Sequence, residues 1–229
     1  MYKIVWNWNL PYKDKTVVSQ IRIDRSTFSV SSEEETISNL IKQSEHIKEL
    51  ISDKEIKLFI REGEITTLSV KNIISILESI PMKELHIQTD LSADIEWYKT
   101  LIKWCKSNKI KLFLTSLLNE KYNYIETFNK KSIELNAELQ DEGEQFSVGL
   151  KVNDANKSVV QSEINVADKN SIMYDVRYDK HYHGEKDLTS NIKKSVSVEQ
   201  TIISSDGKLY KNHLTEEPYG VLGFTKELQ

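Results

Sequence analysis

Residues 55–92 read EIKLFIREGEITTLSVKNIISILESIPMKELHIQTDLS, and the fold follows from how this stretch is parsed. EIKLFI (55–60) is a short apolar run of strand length. VKNIISILESI (70–80) then brings Val70, Ile73, Ile74 and Leu77 onto one face at helical spacing. Pro81 ends that helix, because it has no amide hydrogen and its ring clashes with the preceding turn. ELHIQ (84–88) is a second strand. Strand, helix and strand joined by short connections make a right-handed crossover, and therefore a parallel pair.

The same unit repeats outward. Downstream, DIEWYKTLIKWCKSNK predicts a helix with Ile95, Tyr98, Leu101, Ile102 and Cys105 inward, followed by a strand at IKLFL (110–114). A helix is expected from about Tyr124 to Glu142, with Ile125, Phe128, Leu135 and Leu139 inward and Gly143 as its C-cap, then a strand at FSVGLKV (146–152). Upstream, YKIVW (2–6) reads as another strand, and an amphipathic helix around Ile37–Ile51 returns the chain to EIKLFI. QIRIDRSTFSV (20–30) alternates and is expected as an extra strand or edge hairpin. Beyond residue 153, MYDVRY and SVSVEQTII read as strands, and Asp206–Gly207 in SSDGKLY marks a hairpin turn. The class is α/β with parallel strands.

Composition narrows function mainly by exclusion. The chain has 229 residues, 38% of them hydrophobic, with four Trp and ten Tyr, enough for a substantial core. A net charge of −4 with interspersed signs offers no electrostatic case for nucleic acid or an anionic membrane. The start MYKIVWNWNL has no signal-like pattern and no stretch approaches a membrane span, so a cytoplasmic protein is expected. Cys105 is the single cysteine; its place on an apolar helix face reads as a small buried hydrophobe. A cysteine-ligated metal site within the chain is thereby excluded. No G-x-x-x-x-G-K-[ST], G-x-S-x-G or G-x-G-x-x-G occurs, which removes support for phosphate-loop, hydrolase-elbow and dinucleotide readings.

In parallel α/β folds, ligands sit at the carboxyl ends of the strands. Here those ends are REGEITT (61–67), TDLSAD (89–94), TSLLNEKYN (115–123) and NDAN (153–156). They nominate Glu62, Gly63, Glu64, Thr66, Thr89, Asp90, Ser92, Thr115, Ser116, Asn119 and Asn153 as a ligand-binding mouth. The bland alternative is that such loops are polar because they face water. Glu62, Glu64 and Asp90 together would raise one another's pKa toward general-acid service. The competing reading has Glu62 solvated and Glu64 serving as a cap or ion-pair partner.

These loops, in this order, resemble those of the radical S-adenosylmethionine (SAM) superfamily. WNLPYKDK (8–15) follows the first strand where that family has C-N-L-x-C-x-x-C, keeping Asn9 and Leu10. EGEIT (62–66) is similar to its G-G-E-P-T motif, keeping Gly63, Glu64 and Thr66. IQTDLSADIEWY is similar to a T-N-L-S strand end before a Trp-bearing helix, with Asp90 in the Asn place. TSLLNEKYNYIETFNKKSIEL is similar to a strand end S-F-H-P-E followed by an acidic stretch with a Phe and a Lys, with Ser116, Glu120, Phe128 and Lys130 in register. IISSDGKLYKN resembles the I-x-P-D-G-x-x-Y-x-C segment of SPASM-type extensions, with Asn212 at the cysteine.

The resemblance implies a partial (β/α) barrel over residues 1–155 and a small β-rich extension over 156–229 packed on it. It also implies that the cluster ligands are gone. A [4Fe–4S] cluster needs thiolates, and their positions hold Trp8, Tyr12 and Lys15. No iron–sulfur cofactor is then expected, residual SAM binding would be weak or absent, and Trp8 would pack with Trp6 in the vacated space. In the family, the position of Glu64 supports ligand binding and not proton transfer.

HYHGEKD (181–187) sets His181 and His183 two apart, a pair that on a strand would share one face as metal ligands. The alternative is an exposed polar hairpin tip. His213 has the same status, while His46 and His86 read as structural. The expectation is a non-redox binding or accessory protein, more a pseudoenzyme than an enzyme, for a peptide, a protein partner or a nucleotide-like ligand. The alternative is an enzyme using the mouth for cluster-independent chemistry, either redox-independent in general or SAM-dependent.

Overall fold

A computed structural model describes residues 1–8, 10, 32–51, 54–61, 63–117, 125–140, 144–192, 200–212 and 217–224. QIRIDRSTFSV, Asn9, Tyr12, Lys15, Glu62, Asn119, Glu120, Gly143 and His213 lie outside the described residues.

The expected units form. β1 (Tyr2–Asn7), α1 (Glu33–Ile51), β2 (Ile56–Arg61), α2 (Val70–Leu77), β3 (Met82–Thr89), α3 (Ile95–Ser107), β4 (Lys111–Leu117), α4 (Ile125–Glu138) and β5 (Gln145–Val152) alternate as read from the sequence. α5 (Lys157–Lys169) and β6 (Met173–Tyr178) add one more unit to the series. β7 (Gln200–Ile203), β8 (Lys208–Tyr210) and β9 (Gly220–Val221) complete the described strands.

The helix ends follow from local chemistry. Ser69 Oγ accepts the Asn72 amide at the start of α2, and Ser32 Oγ accepts that of Glu35 before α1, whose first turn is acidic. The buried stripe of α2 is Ile73, Ile76 and Leu77. The structure puts Ile76 inside in place of the expected Ile74. On α3, Tyr98, Leu101, Ile102 and Cys105 are buried, as its periodicity predicts.

The strands lie in the order β6-β5-β4-β3-β2-β1-β7-β8-β9. β1 to β6 are parallel and stand in chain order, β7 is parallel to β1, and β8 and β9 are antiparallel additions. The nine strands do not close on themselves; β6 and β9 are the edges. The Asp206–Gly207 hairpin between β7 and β8 is present, with Gly207 at φ +80°.

Right-handed crossovers that always step the same way keep their helices on one face, and α1, α2, α3 and α4 touch in succession. Toward them point Ile4, Trp6, Leu58, Ile60, Leu85, Ile87, Leu112, Leu114, Phe146 and Val148, all buried. The alternate residues point to the other face.

α5 is absent from the sequence reading, which named no element between residues 153 and 172; the resemblance implied a β-rich extension there. Its buried face carries Val160, Ile164 and Ala167 but also Glu163. Asn129 of α4 donates to the Glu163 carboxylate at 3.2 Å, and Asn136 of α4 donates to the Asn170 carbonyl at 3.2 Å. This polar seam dilutes the apolar periodicity that announces a helix.

Candidate functional site

The nominated residues separate into groups once folded. At the ends of β2 and β3, Glu64 is 1% exposed and receives four donors. The Thr66 amide, the Thr66 hydroxyl and the Thr89 hydroxyl donate to Oε1 at 3.0, 2.8 and 2.8 Å, and the Asp90 amide donates to Oε2 at 2.7 Å. Because Thr89 gives its proton to Glu64, the Tyr98 hydroxyl 3.1 Å away must donate to Thr89. By the same logic Ser92 Oγ, 3.0 Å from Thr66 Oγ1, donates to Thr66. Asp90 Oδ1 accepts the Ser92 amide at 2.8 Å.

Glu64 is thus the keystone of two loops. It caps the 3-10 turn Ile65–Thr67, in agreement with the capping alternative. Burial, and then the Asp90 carboxylate, push its pKa up to about 7 against the pull of the four donors. Lys131 of α4 braces the same loop, donating to the carbonyls of Leu91 and Ala93 at 2.9 and 2.5 Å. The loop needs bracing, because Leu91 has φ +58°.

Gly63 has φ +111°, and a Cβ built on it would lie 2.3 Å from the Leu10 carbonyl oxygen and 2.4 Å from the Leu10 nitrogen. The backbone after β1 fills the space beside this glycine. Trp8, just after β1, is 3% exposed and meets Trp6 edge to face at 5.2 Å. Its amide donates to the Arg61 carbonyl at 2.9 Å, so the loop is stitched to β2.

The other nominees sit elsewhere. Ser116 is fully buried, and its hydroxyl donates to the Ser147 carbonyl at 3.4 Å. Asn153 accepts the Ala155 amide and forms a local turn into α5. Thr115 lies on the opposite face of the sheet, its hydroxyl 3.0 Å from that of Ser147. His181 and His183 are exposed in the segment after β6, where neither belongs to a strand, so the exposed-tip alternative describes them and the strand pair does not form. Their amides donate to Asp179 and Asp154. Among the described residues, no three His, Cys, Asp or Glu side chains converge to hold a metal. Burial pushes the Cys105 thiol up to about 12, which keeps it protonated.

The feature the loop motifs do not announce is the face opposite the helices. Across β2, β3 and β4, Lys57, Glu84 and Lys111 stand in register, and so do Phe59, His86 and Phe113. The His86 ring stacks on Phe59 at 3.9 Å and on Phe113 at 4.3 Å, with interplanar angles of 9° and 6°. Parallel rings on neighbouring strands stand upright like books on a shelf, edges away from the sheet. Glu84 takes Lys57 at 2.9 Å and the His86 Nε2 at 3.2 Å. Burial drives the His86 pKa down to about 4 despite Glu84, so the ring is neutral, donates to Glu84 and keeps Nδ1 as an acceptor. Next to this row, Arg61 donates to the Gln88 side chain at 2.8 Å.

A signal for this array exists in the sequence. The tetrapeptide IKLF occurs at 56–59 and again at 110–113, with ELHI between them at 84–87. Two strand-length repeats that match at every position align like residues once the strands pair in register.

Compared with family models, with curated proteins and with solved structures, the chain finds no match.

Proposed function

We propose that this chain is a relative of the radical SAM enzymes without their cluster-binding cysteines, a partial (β/α) barrel that binds a small ligand, peptide or protein partner without redox chemistry. The observation that carries the reading is the one-sided sheet. Purely parallel sheets normally have both faces covered, whereas among the described residues the helices gather on one side of strands in unbroken chain order. Among the described residues the other side carries charged, amide and aromatic side chains together with the buried Val5 and Ile202, a mixed composition suited to contact with a ligand.

The residues do not fit the cluster the family would hold. Trp8 supplies no thiolate and its ring is packed against Trp6, and the single Cys105 sits on the inward face of α3. The Glu64 keystone and the Gly63–Leu10 contact then serve to hold the strand-end loops in place. No step of the proposed role passes through iron.

Anaerobic reconstitution with iron and sulfide tests this directly. The expected result is no stoichiometric cluster and no visible charge-transfer absorbance. A reproducible cluster that cleaves SAM on reduction would overturn the reading. Titration with SAM should give at best a Kd near 1 mM, about 4 kcal/mol, since the chelation of its amino and carboxylate groups to iron is lost. Micromolar binding that vanishes in Glu64→Gln would instead support an enzyme that uses SAM without a cluster.

A further inference from the structure

We propose that the outer edge of β6 is a latent dimerisation strand, which pairs antiparallel with the same strand of a second copy of this chain when residues 188–191, the strap that seals it, are displaced. This inference goes beyond the binding role proposed above and does not depend on it.

The strap is the first observation. β6 ends the described sheet on one side. The backbone alternates along it: the Asp179 amide, just past its end, donates inward to the Val152 carbonyl of β5 at 2.8 Å, whereas Tyr174 and Val176 turn outward. The Tyr174 amide donates to Asn191 Oδ1 at 2.6 Å and the Val176 amide to Ser190 Oγ at 2.9 Å. The Asn191 amide returns a bond to the Tyr174 carbonyl at 3.2 Å. Tyr178 clasps the start of the strap, its hydroxyl accepting the Leu188 amide at 2.7 Å and donating to the Leu188 carbonyl at 3.2 Å. Both edge amides are thus met by side chains, and residues 188–191 form no strand. Contacts of this kind close an edge against further pairing, and they occupy the groups that a backbone ladder would use.

The edge sequence is the second observation. Tyr174–Tyr178 reads YDVRY, the same in both directions except that Asp and Arg exchange places. An antiparallel two-fold centred on Val176 sets Val176 against its own copy and Tyr174 against Tyr178 of the second copy, both as hydrogen-bonded pairs, because their backbone groups face outward. Asp175 then stands opposite Arg177 of the second copy, in the non-hydrogen-bonded place where side chains come closest, and the symmetry repeats the pair. Moving the axis to Asp175 or to Arg177 sets that charge against itself, which is unfavourable. Charge therefore selects the register centred on Val176.

Strap and second copy compete for the same groups. Within one copy Arg177 Nε donates to Asp175 Oδ2 at 2.6 Å, and the Arg177 side chain is 75% exposed, leaving guanidinium donors for another carboxylate. Asp175 Oδ1 is held by the Ser190 hydroxyl at 3.0 Å. Releasing the strap frees that oxygen together with the Tyr174 and Val176 amides.

The test compares the wild-type full chain with Ser190→Ala/Asn191→Ala, which deletes the side-chain acceptors of the strap, by sedimentation velocity over a range of micromolar concentrations. The expected result is a dimer whose Kd is lower than that of wild type by about tenfold or more. In the same background, Arg177→Asp and Asp175→Arg should each weaken the dimer by about tenfold or more, since each sets like charges across the axis. An equimolar mixture of the two should regain it, because one edge is then all acidic and the other all basic. Circular dichroism confirms that each variant is folded. Tyr178→Phe, which removes only the hydroxyl that holds Leu188, carries the comparison if the double variant is not. Association unchanged from wild type in a folded, strap-released variant, association indifferent to Arg177→Asp, or a mixture no tighter than its components would overturn the proposal.

Discussion

Replacing Gly63 by alanine separates two roles that glycine could have at this loop. The backbone at Gly63 has φ +111°, a region nearly closed to residues with a Cβ, and occupying it costs about 1–3 kcal/mol. The added methyl would also sit 2.3 Å from the Leu10 carbonyl oxygen and 2.7 Å from its Cα. Those are backbone atoms, which cannot rotate aside, and Trp8 two residues earlier is tied to the Arg61 carbonyl. Overpacking of this kind costs about 1–3 kcal/mol more. Gly63→Ala should therefore lose about 4 kcal/mol in all. Gly207→Ala supplies the control. It shares a positive φ of +80°, but the nearest atom to its new methyl is Leu222 Cβ at 3.7 Å, an ordinary contact. It should carry the conformational cost without the collision. Urea unfolding of both variants, with midpoints compared at constant m, reads the difference, expected at about 1–3 kcal/mol. If Gly63→Ala falls no lower than Gly207→Ala, the seating of the β1 loop on Gly63 is wrong.

Other outcomes follow from the same contacts. Trp8→Ala should cost about 3–5 kcal/mol in unfolding experiments, because a 3% exposed ring leaves a cavity beside Trp6; an unchanged melting temperature would contradict its burial. Glu64 and His86 should give opposite pH slopes. With its folded pKa raised to about 7, the stability contributed by Glu64 protonation is complete below the ordinary carboxyl range and is lost as pH rises through about 7. Wild type should lose stability relative to Glu64→Gln between pH 5 and 7. With its folded pKa lowered to about 4, neutral His86 contributes stability above its ordinary 6.5 that is lost as pH falls toward 4. Wild type should therefore lose stability relative to His86→Phe on going from pH 7 to 5; parallel curves would refute either assignment. Lys131→Met should cost about 1–3 kcal/mol and speed hydrogen exchange at residues 90–94, by leaving the Leu91 and Ala93 carbonyls without their donor.

The alternating units were legible because strand and helix have different periods and the chain obeys both. EIKLFI and IKLFL are short apolar runs, Val70 to Leu77 and Ile95 to Cys105 repeat at helical spacing, and Pro81 and Ser69 punctuate them. Local sterics and amphipathicity act over a few residues, so a single sequence reveals them. α5 escaped because Glu163 lies on its buried face, and only the neighbouring Asn129 explains why a carboxylate is tolerated there. The candidate site was half legible for a related reason. Gly63, Glu64, Thr66, Thr89 and Ser92 could be named from strand ends, but their mutual bonds depend on two loops 25 residues apart meeting after β2 pairs with β3. Which side of the sheet a residue faces, and whom it meets across the strands, is decided by register, and register exists only once the strands are assembled. That is why Phe59, His86 and Phe113, each unremarkable in its own segment, become one stack with Lys3 and Arg61 at its end only in the folded sheet.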